Sequence, residues 1–399
     1  MNNTTARPAT LISKEFIILN GIFFIAACTT AAFFQFQQYL QKLGIDPAWA
    51  GFIIGADSLA CFFIQPVLSP FLHRGNARKW MLIGSSGMIA ALFLYGAATT
   101  ISTLICVRIL HGAAFVSLVT ALVAMIVDFI PPEKSGQGFG FLSLIRLLPY
   151  AAVPPLVSFL DKRSHDLPSV LTYAAIVMFL PLILIFFLQT SLPAIDKGAH
   201  APQRINVREL KKDLKNRNVI ILLAVNLLLY TCYTIVFFFL KGFGARIGVD
   251  NPGFFFTIAT VTMIIIRLGG AAFFDRVNKV KATALSLAGL GLCNIGLGHA
   301  QDEILFFILS VLFGIGWGIV MPILTALMFD ISLPRFRGLN VNLSLVMLQA
   351  GFFFGPFLGG LVLAHSGYVI LFYCCALLSF LSAVLTWKVE VGQILNPNI

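Results

Sequence analysis

The sequence predicts an all-α membrane protein in which twelve transmembrane helices form two parallel six-helix bundles related by an internal repeat. Three observations predict this class. Hydrophobic residues make up 59% of the 399 residues and charged residues only 11%, a more apolar balance than soluble domains carry. Apolar runs of about 20 residues, each long enough to cross a bilayer as a helix, recur along the chain. The second half also repeats the first at one constant offset.

The apolar runs divide into twelve expected spans, six in each half. We number them 1 to 12 in chain order: 16–40, 48–72, 80–99, 102–130, 138–160, 169–190, 218–240, 252–274, 282–299, 304–329, 338–363 and 368–387. Because six is an even number, both halves insert with the same orientation and the repeat is parallel. The two bundles are expected at 1–190 and 218–399, with the basic segment 191–217 as a cytoplasmic linker.

The internal repeat is visible in the residues that interrupt the apolar runs. Adding 202 to a residue number in the first half gives the same residue type in the second half for Arg74 and Arg276, Lys79 and Lys281, Gly112 and Gly314, Asp128 and Asp330, Pro132 and Pro334, Gly136 and Gly338, and Pro154 and Pro356. One ungapped shift finds all seven pairs. The chain is therefore expected to be a duplicated unit of about 200 residues.

The basic residues lie mainly in one set of alternate connections. That set and the termini hold nineteen of the 27 lysines and arginines, against five in the other set. The asymmetry predicts that both termini are cytoplasmic. The net charge of +11 is therefore explained by the orientation of the spans in the membrane, with attraction to anionic lipid as a secondary effect. It does not indicate a nucleic-acid partner. The seven cysteines fall within spans without metal-ligand spacing, so we expect no metal site.

Four segments resemble motifs of the major facilitator superfamily. The segment 108–136 resembles that family's fourth span and the loop after it, and 314–338 resembles the tenth span. The segment 69–79 stands at the place of the signature loop between the second and third spans, and 275–281 at the equivalent place in the second half. A Gly-x-x-x-Gly-Pro-x-x-Gly-Gly pattern, typical of the fifth span in many of the family's antiporters, appears here in span 11 at 351–360.

The resemblance implies a secondary transporter in which two bundles rock about a central site. We expect proton-coupled export of a small anionic or zwitterionic compound, such as a drug, a metabolite or a metal-chelating compound. A proton-coupled importer of an organic anion, or a sensor or enzyme on a transporter-like scaffold, remain alternatives. No nucleophile or metal constellation is evident, so neither catalysis nor a cofactor is expected. The expected form is a monomer in the inner membrane.

Four charged residues interrupt the apolar spans, namely Asp57, Arg108, Arg146 and Arg267 in spans 2, 4, 5 and 8. Each costs about 2.5–3.5 kcal/mol at the centre of a membrane unless it faces a wet cavity or a partner. Arg146 and Arg267 lie at similar depths, about 10–12 Å from the cytoplasmic ends of their spans. The resemblance places spans 5 and 8 side by side, so we expect both arginines to bind one anion. Pairing with helix carbonyls or a gating role are the alternatives.

Asp57 is the carboxylate expected nearest the middle of the membrane, and it is the first candidate for carrying a coupled proton. Its ordinary pKa of about 3.9 rises on desolvation and falls beside an arginine. His111 and His73 are rival candidates because the ordinary pKa of histidine lies near neutrality. Arg108, three residues before His111, is expected to take part in the coupling. Other groups, or no proton coupling, remain open.

Polar residues inside spans 1, 7 and 10 are further candidates for contact with the substrate. The resemblance implies that these spans line the central cavity, and the residues are Gln35, Gln38, Asn226, Tyr230, Tyr233 and Trp317. On span 7, the spacing of three and four residues places Asn226, Tyr230 and Tyr233 on one helix face. The alternative is hydrogen bonding between helices.

Charged residues at the cytoplasmic ends of the spans predict a gate. Ion pairs between acidic span ends and the basic loops would close the inner face and break when it opens. The expected gating residues are Arg74, Arg78, Asp128, Asp275, Arg276, Asp330 and Arg337. Simple solvated span ends are the alternative.

Overall fold

The computed structural model describes residues 13–72, 74–130, 135–162, 166–188, 216–333 and 336–390, and the regular structure in these ranges is helical. The expected linker at 191–217 lies almost entirely outside the described residues. The predicted fold class is confirmed, and each of the twelve expected spans corresponds to a helix, a pair of helices or part of a longer one.

Six spans make up the first half. They are Lys14–Ala31 joined through a 3₁₀ turn at Ala32–Gln35 to Phe36–Lys42, then Pro47–Leu68, Arg74–Leu94, Ile101–Asp128, Ser135–Lys162, and finally Leu167–Val177 with Phe179–Phe187. Several helices begin at polar caps in the connections. The Asp46 carboxylate, for example, accepts a hydrogen bond of 2.8 Å from the backbone N–H of Ala48 and satisfies a donor that the helix leaves free.

Six spans also make up the second half. The helices are Arg217–Arg246, Phe254–Arg276, Lys279–His299, Glu303–Ile331 and Arg337–Trp387. The last helix contains spans 11 and 12, which are divided at Gly367. Gly367 has a φ of 76°, a left-handed conformation that glycine adopts without steric cost, and it replaces a loop between the two spans.

Span 11 packs against span 7 of its own half and against span 2 of the other half. The glycine pattern at 351–360 makes this packing close. Gly355 lies against Thr234 of span 7, and a Cβ on Gly360 would lie 2.9 Å from the Cα of Gly51 in span 2. The pattern that resembles an antiporter motif therefore positions span 11 between spans 7 and 2, as small residues do at helix interfaces in membranes.

The two halves meet on one side of the bundle. We call the side that holds Ser13 and Glu390 the termini side, and the opposite side the far side. The far side brings Gly51 against Gly360, and Gly253 against Pro154. The two halves are therefore in close contact on the far side.

Two polar contacts among the described residues lie on the termini side, each within one half. Asn218 donates to the carbonyl of Glu390 at 2.9 Å within the second half, and Arg78 donates to the carbonyl of Phe186 at 2.9 Å within the first half.

Candidate functional site

Arg146 and Arg267 project from opposite halves of the protein into one region. Both guanidinium groups lie within electrostatic range of the Tyr230 hydroxyl on span 7. Arg146 is exposed, and its guanidinium carbon lies 5.6 Å from the centroid of the Phe23 ring. Arg267 is half-buried. Two positive charges, one on each half, therefore act on one phenol.

Aromatic rings form the far-side boundary of this region. The rings of Tyr233 and Trp317 lie 4.7 Å apart, and those of Tyr230 and Trp317 lie 6.0 Å apart. Tyr150 of span 5 contacts Tyr233 of span 7 at 6.4 Å, edge to face, so this boundary crosses between the halves. Sequence reasoning missed Tyr150, although it follows Arg146 by four residues and therefore shares its helix face.

Tyr230 and Asn226 make different contacts, although they share a helix face. The Tyr230 hydroxyl donates to the sulfur of Met321 at 3.5 Å. Asn226 is buried and donates to the carbonyl of Leu222 in its own helix at 2.8 Å. The Asn226 amide therefore donates a hydrogen bond within span 7, whereas the Tyr230 hydroxyl donates across to span 10.

Asp57 and Arg108 form an ion pair of 2.6 Å between spans 2 and 4. The Arg108 side chain is only 1% exposed, and that of Asp57 is 19% exposed. Arg108 also donates to the carbonyl of Ile53 at 3.2 Å and to the carbonyl of Ile54. Its guanidinium carbon lies 4.6 Å from the centroid of the Phe33 ring. These contacts hold Arg108 in the protein interior and leave part of the Asp57 side chain exposed.

His111 of span 4 lies beside Phe33 of span 1 and Tyr95 of span 3. It is buried, and its Nδ1 atom lies 3.4 Å from the hydroxyl oxygen of Tyr95. The next residue, Gly112, packs directly on the backbone of Asp57, where a Cβ would overlap the carbonyl oxygen. The sequence from Arg108 to Gly112 thus fixes the position of Asp57 from the neighbouring helix.

A buried lysine joins the halves on the far side. The Nζ atom of Lys241 in span 7 donates to the Asp161 carboxylate of span 5 at 2.8 Å and to Gln35 Oε1 of span 1 at 2.7 Å. Asp161 also pairs with Lys42 at 3.6 Å. Gln35 is therefore engaged by Lys241, and Gln38 lies beside Gly242 of span 7. Sequence reasoning did not single out Lys241 and Asp161, because they stand near the ends of their spans.

The expected gating residues are only partly described. Asp330 pairs with Lys279 at 2.5 Å, within the same half. The Arg337 guanidinium carbon lies 4.3 Å from the centroid of the Phe329 ring. Four further side chains lie outside the described residues, namely Arg74, Asp128, Asp275 and Arg276.

Among the side chains that the structure describes, no group of three or more His, Cys, Asp or Glu residues is arranged to hold a metal ion. The site is therefore built from arginines, phenols and one carboxylate–guanidinium pair.

This arrangement, two six-helix bundles with a charged region between them, is that of a membrane transporter. The chain belongs to the Major Facilitator Superfamily, whose sequence model matches residues 18–332 and 282–394. It is 24% identical over 396 residues to the multidrug resistance protein MdtG of Salmonella paratyphi B, covering 92% of this chain and 93% of that protein.

Solved structures share the fold at low sequence identity. The nucleoside transporter NupG superposes with a TM-score of 0.75 at 15% identity, covering 94% of this chain and 98% of that one. A D-xylose–proton symporter superposes with a TM-score of 0.73 at 14% identity, covering 94% and 96% of the two chains. The chain is thus a multi-pass membrane transporter.

Proposed function

We propose that this transporter exports a small anionic or zwitterionic organic compound in exchange for protons. The observation that carries the proposal is the convergence of Arg146 and Arg267, one from each half, on the surroundings of Tyr230. A substrate held by both arginines would contact both bundles, so its binding would respond to their relative position.

The chemistry of the arginines favours an anion. A guanidinium presents fixed donors that match a carboxylate or phosphate in a two-point contact, and it keeps its charge at every physiological pH. A hydrogen bond to a charged group contributes about 1.5–3 kcal/mol. A cationic substrate would instead meet repulsion from two positive charges.

Asp57 is the proposed proton carrier. In the ion pair with Arg108 the carboxylate is charged, and protonation removes the attraction across spans 2 and 4. If the pair is stronger in one conformation, proton binding shifts the balance between conformations by the difference in that interaction. Its partial exposure gives a proton access, whereas His111 is buried and serves as the alternative carrier.

Export is favoured over import by the relationship to MdtG, whose name is that of a multidrug resistance protein. Drugs, metabolites and metal-chelating compounds that carry an anionic group are the substrates to examine. The charge asymmetry of the connections supports an inner-membrane location with cytoplasmic termini. In that orientation, separation of the halves on the termini side would expose the site to the cytoplasm, from which an exporter collects its substrate.

Two experiments test this function. A thermal-shift screen of the purified protein against organic anions, drugs and chelators identifies a ligand. Transport of that ligand is then measured in everted membrane vesicles with an acidic lumen. Proton exchange predicts accumulation in the lumen that stops when the pH gradient is dissipated. Accumulation only in right-side-out vesicles with an acidic exterior would establish the importer instead, and ligand binding without transport would favour the sensor.

The arginines are tested by substitution in the same assay. Arg146→Ala and Arg267→Ala should each weaken ligand binding by at least about tenfold, since each removes a charged hydrogen-bond donor. Arg246→Ala is the matched control, because Arg246 is exposed at the far end of span 7. Equal losses in all three variants would exclude a specific substrate contact.

A further inference from the structure

We infer that the substrate is an aromatic acid whose ring lies beyond its charged group, against Tyr150 and Tyr233. This inference rests on the proposed anion site and names the chemical class that the site takes. Three observations carry it: the accessibility of two rings, their depth relative to the arginines, and the packing behind them.

Tyr150 and Tyr233 are half-buried, and they meet at 6.4 Å with their ring planes at 75°. One belongs to each half of the protein. Trp317, which contacts Tyr233, is by contrast buried. The two tyrosines therefore supply partly exposed ring surface where the halves meet.

The two tyrosines lie one helical turn farther from the termini side than the charged groups. On span 5, Tyr150 follows Arg146 by four residues, about 6 Å along the helix. On span 7, Tyr233 follows Tyr230 by three residues, about 4.5 Å along the helix. Tyr230 is the residue on which the charges of both arginines act. A solute that enters from the termini side reaches the arginines first and the rings next.

The space beyond the tyrosines is filled by other rings. Phe237 and Phe256 contact Tyr233 at 6.3 Å and 6.5 Å, and Phe313 contacts it at 6.2 Å. A substrate ring therefore stops at the tyrosines while the far side is closed. A single aromatic ring attached to a carboxylate spans the separation of about one helical turn.

Aromatic rings also discriminate between substrates of equal charge. Edge-to-face and offset contacts between rings add to the effect of apolar burial, because the ring face is electron-rich and the ring edge electron-poor. A saturated ring of the same size would gain the burial but not this electrostatic contact. The site should therefore prefer a flat, unsaturated acid over its saturated counterpart.

The test compares two matched pairs of acids on the purified full-length protein by isothermal titration calorimetry. Benzoate is compared with cyclohexanecarboxylate, and 2-naphthoate with decahydro-2-naphthoate. Each aromatic acid should bind about three- to tenfold more tightly than its saturated partner. Equal affinities within both pairs would overturn the aromatic preference and leave the anion site in place. Absence of binding by all four acids would overturn the proposed anion site together with this inference.

Substitutions of the two tyrosines test whether their rings cause the preference for aromatic acids. Tyr233→Leu and Tyr150→Leu should each reduce the affinity ratio within a pair, whereas Tyr233→Phe keeps the ring and should retain it. Tyr173→Leu is the control, because Tyr173 is an exposed tyrosine on span 6, away from the site. Unfolding temperature is measured for every variant. A ratio that stays at the parent value in folded Tyr233→Leu and Tyr150→Leu proteins would refute the assignment to these rings.

Discussion

Replacement of Lys241 by methionine tests how the far side is held closed. Lys241 joins span 7 to Asp161 of span 5 and to Gln35 of span 1, and these contacts exist only while the halves touch on that side. Lys241→Met keeps an unbranched apolar side chain and removes the charge. Loss of the contacts raises the free energy of the far-side-closed state alone, so the protein should shift toward a state that opens there.

The size of the shift follows from the burial of the partners. Removing one partner of a fully buried ion pair costs about 3–5 kcal/mol. Lys241 is 7% exposed, but the Asp161 side chain is 31% exposed and retains Lys42 at 3.6 Å. We therefore expect a smaller cost, about 1.5–2.5 kcal/mol. This cost multiplies the ratio of far-side-open to far-side-closed molecules by roughly ten- to sixtyfold.

The assay is a distance measurement between two spin labels on the far side. Gln41 and Arg246 are exposed and lie on opposite halves, and both are changed to cysteine in a variant without the seven native cysteines. Pulsed electron paramagnetic resonance should show a longer distance in Lys241→Met. Lys42→Met is the matched control, because Lys42 is 69% exposed and its pair with Asp161 contributes only about 0.2–1 kcal/mol. Identical distance distributions in the parent and Lys241→Met would refute the reasoning.

Further predictions concern the centre of the protein. Arg146→Ala and Arg267→Ala together should abolish transport without lowering the amount of folded protein, which fluorescence-detected size-exclusion chromatography measures. Asp57→Asn should permit exchange of substrate but prevent accumulation driven by a pH gradient. Undiminished accumulation would show that another group carries the proton. Gly112→Ala should destabilise the protein by about 1–3 kcal/mol, because its Cβ overlaps the Asp57 carbonyl. Gly21→Ala, where a Cβ meets nothing within 4 Å, should leave the unfolding temperature nearly unchanged.

The sequence was sufficient to predict the helices because hydrocarbon requires long apolar runs with internal hydrogen bonds. The expected span 304–329, for example, is the helix Glu303–Ile331. The backbone geometry of the connections between spans was harder to predict from the sequence. A positive φ at Gly367 joins spans 11 and 12 without a loop, and hydropathy carries no information about a single backbone angle.

The partners of charged residues were harder to predict than their presence. The sequence marks Asp57 and Arg108 as costly in a membrane, and their depths are similar, but pairing depends on how closely spans 2 and 4 approach. That approach is set by Gly112, whose missing side chain lets the helices touch. Lys241 and Asp161 escaped notice because charges near span ends reach water in most proteins. Here the packing of the two halves encloses the lysine.

The contact between Gly51 and Gly360 has a consequence for the speed of the conformational cycle. At this point the halves touch through backbone, while the neighbouring Phe52 ring contacts the Phe353 and Phe357 rings across the boundary at 5.9 Å and 6.2 Å. When side chains interlock, separation forces rotamer changes and leaves voids, and both raise the activation barrier. The glycine contact itself separates without either penalty. Different residues can therefore control the two properties. The lysine bridge stabilises the closed far side, and the glycines lower the barrier to its opening.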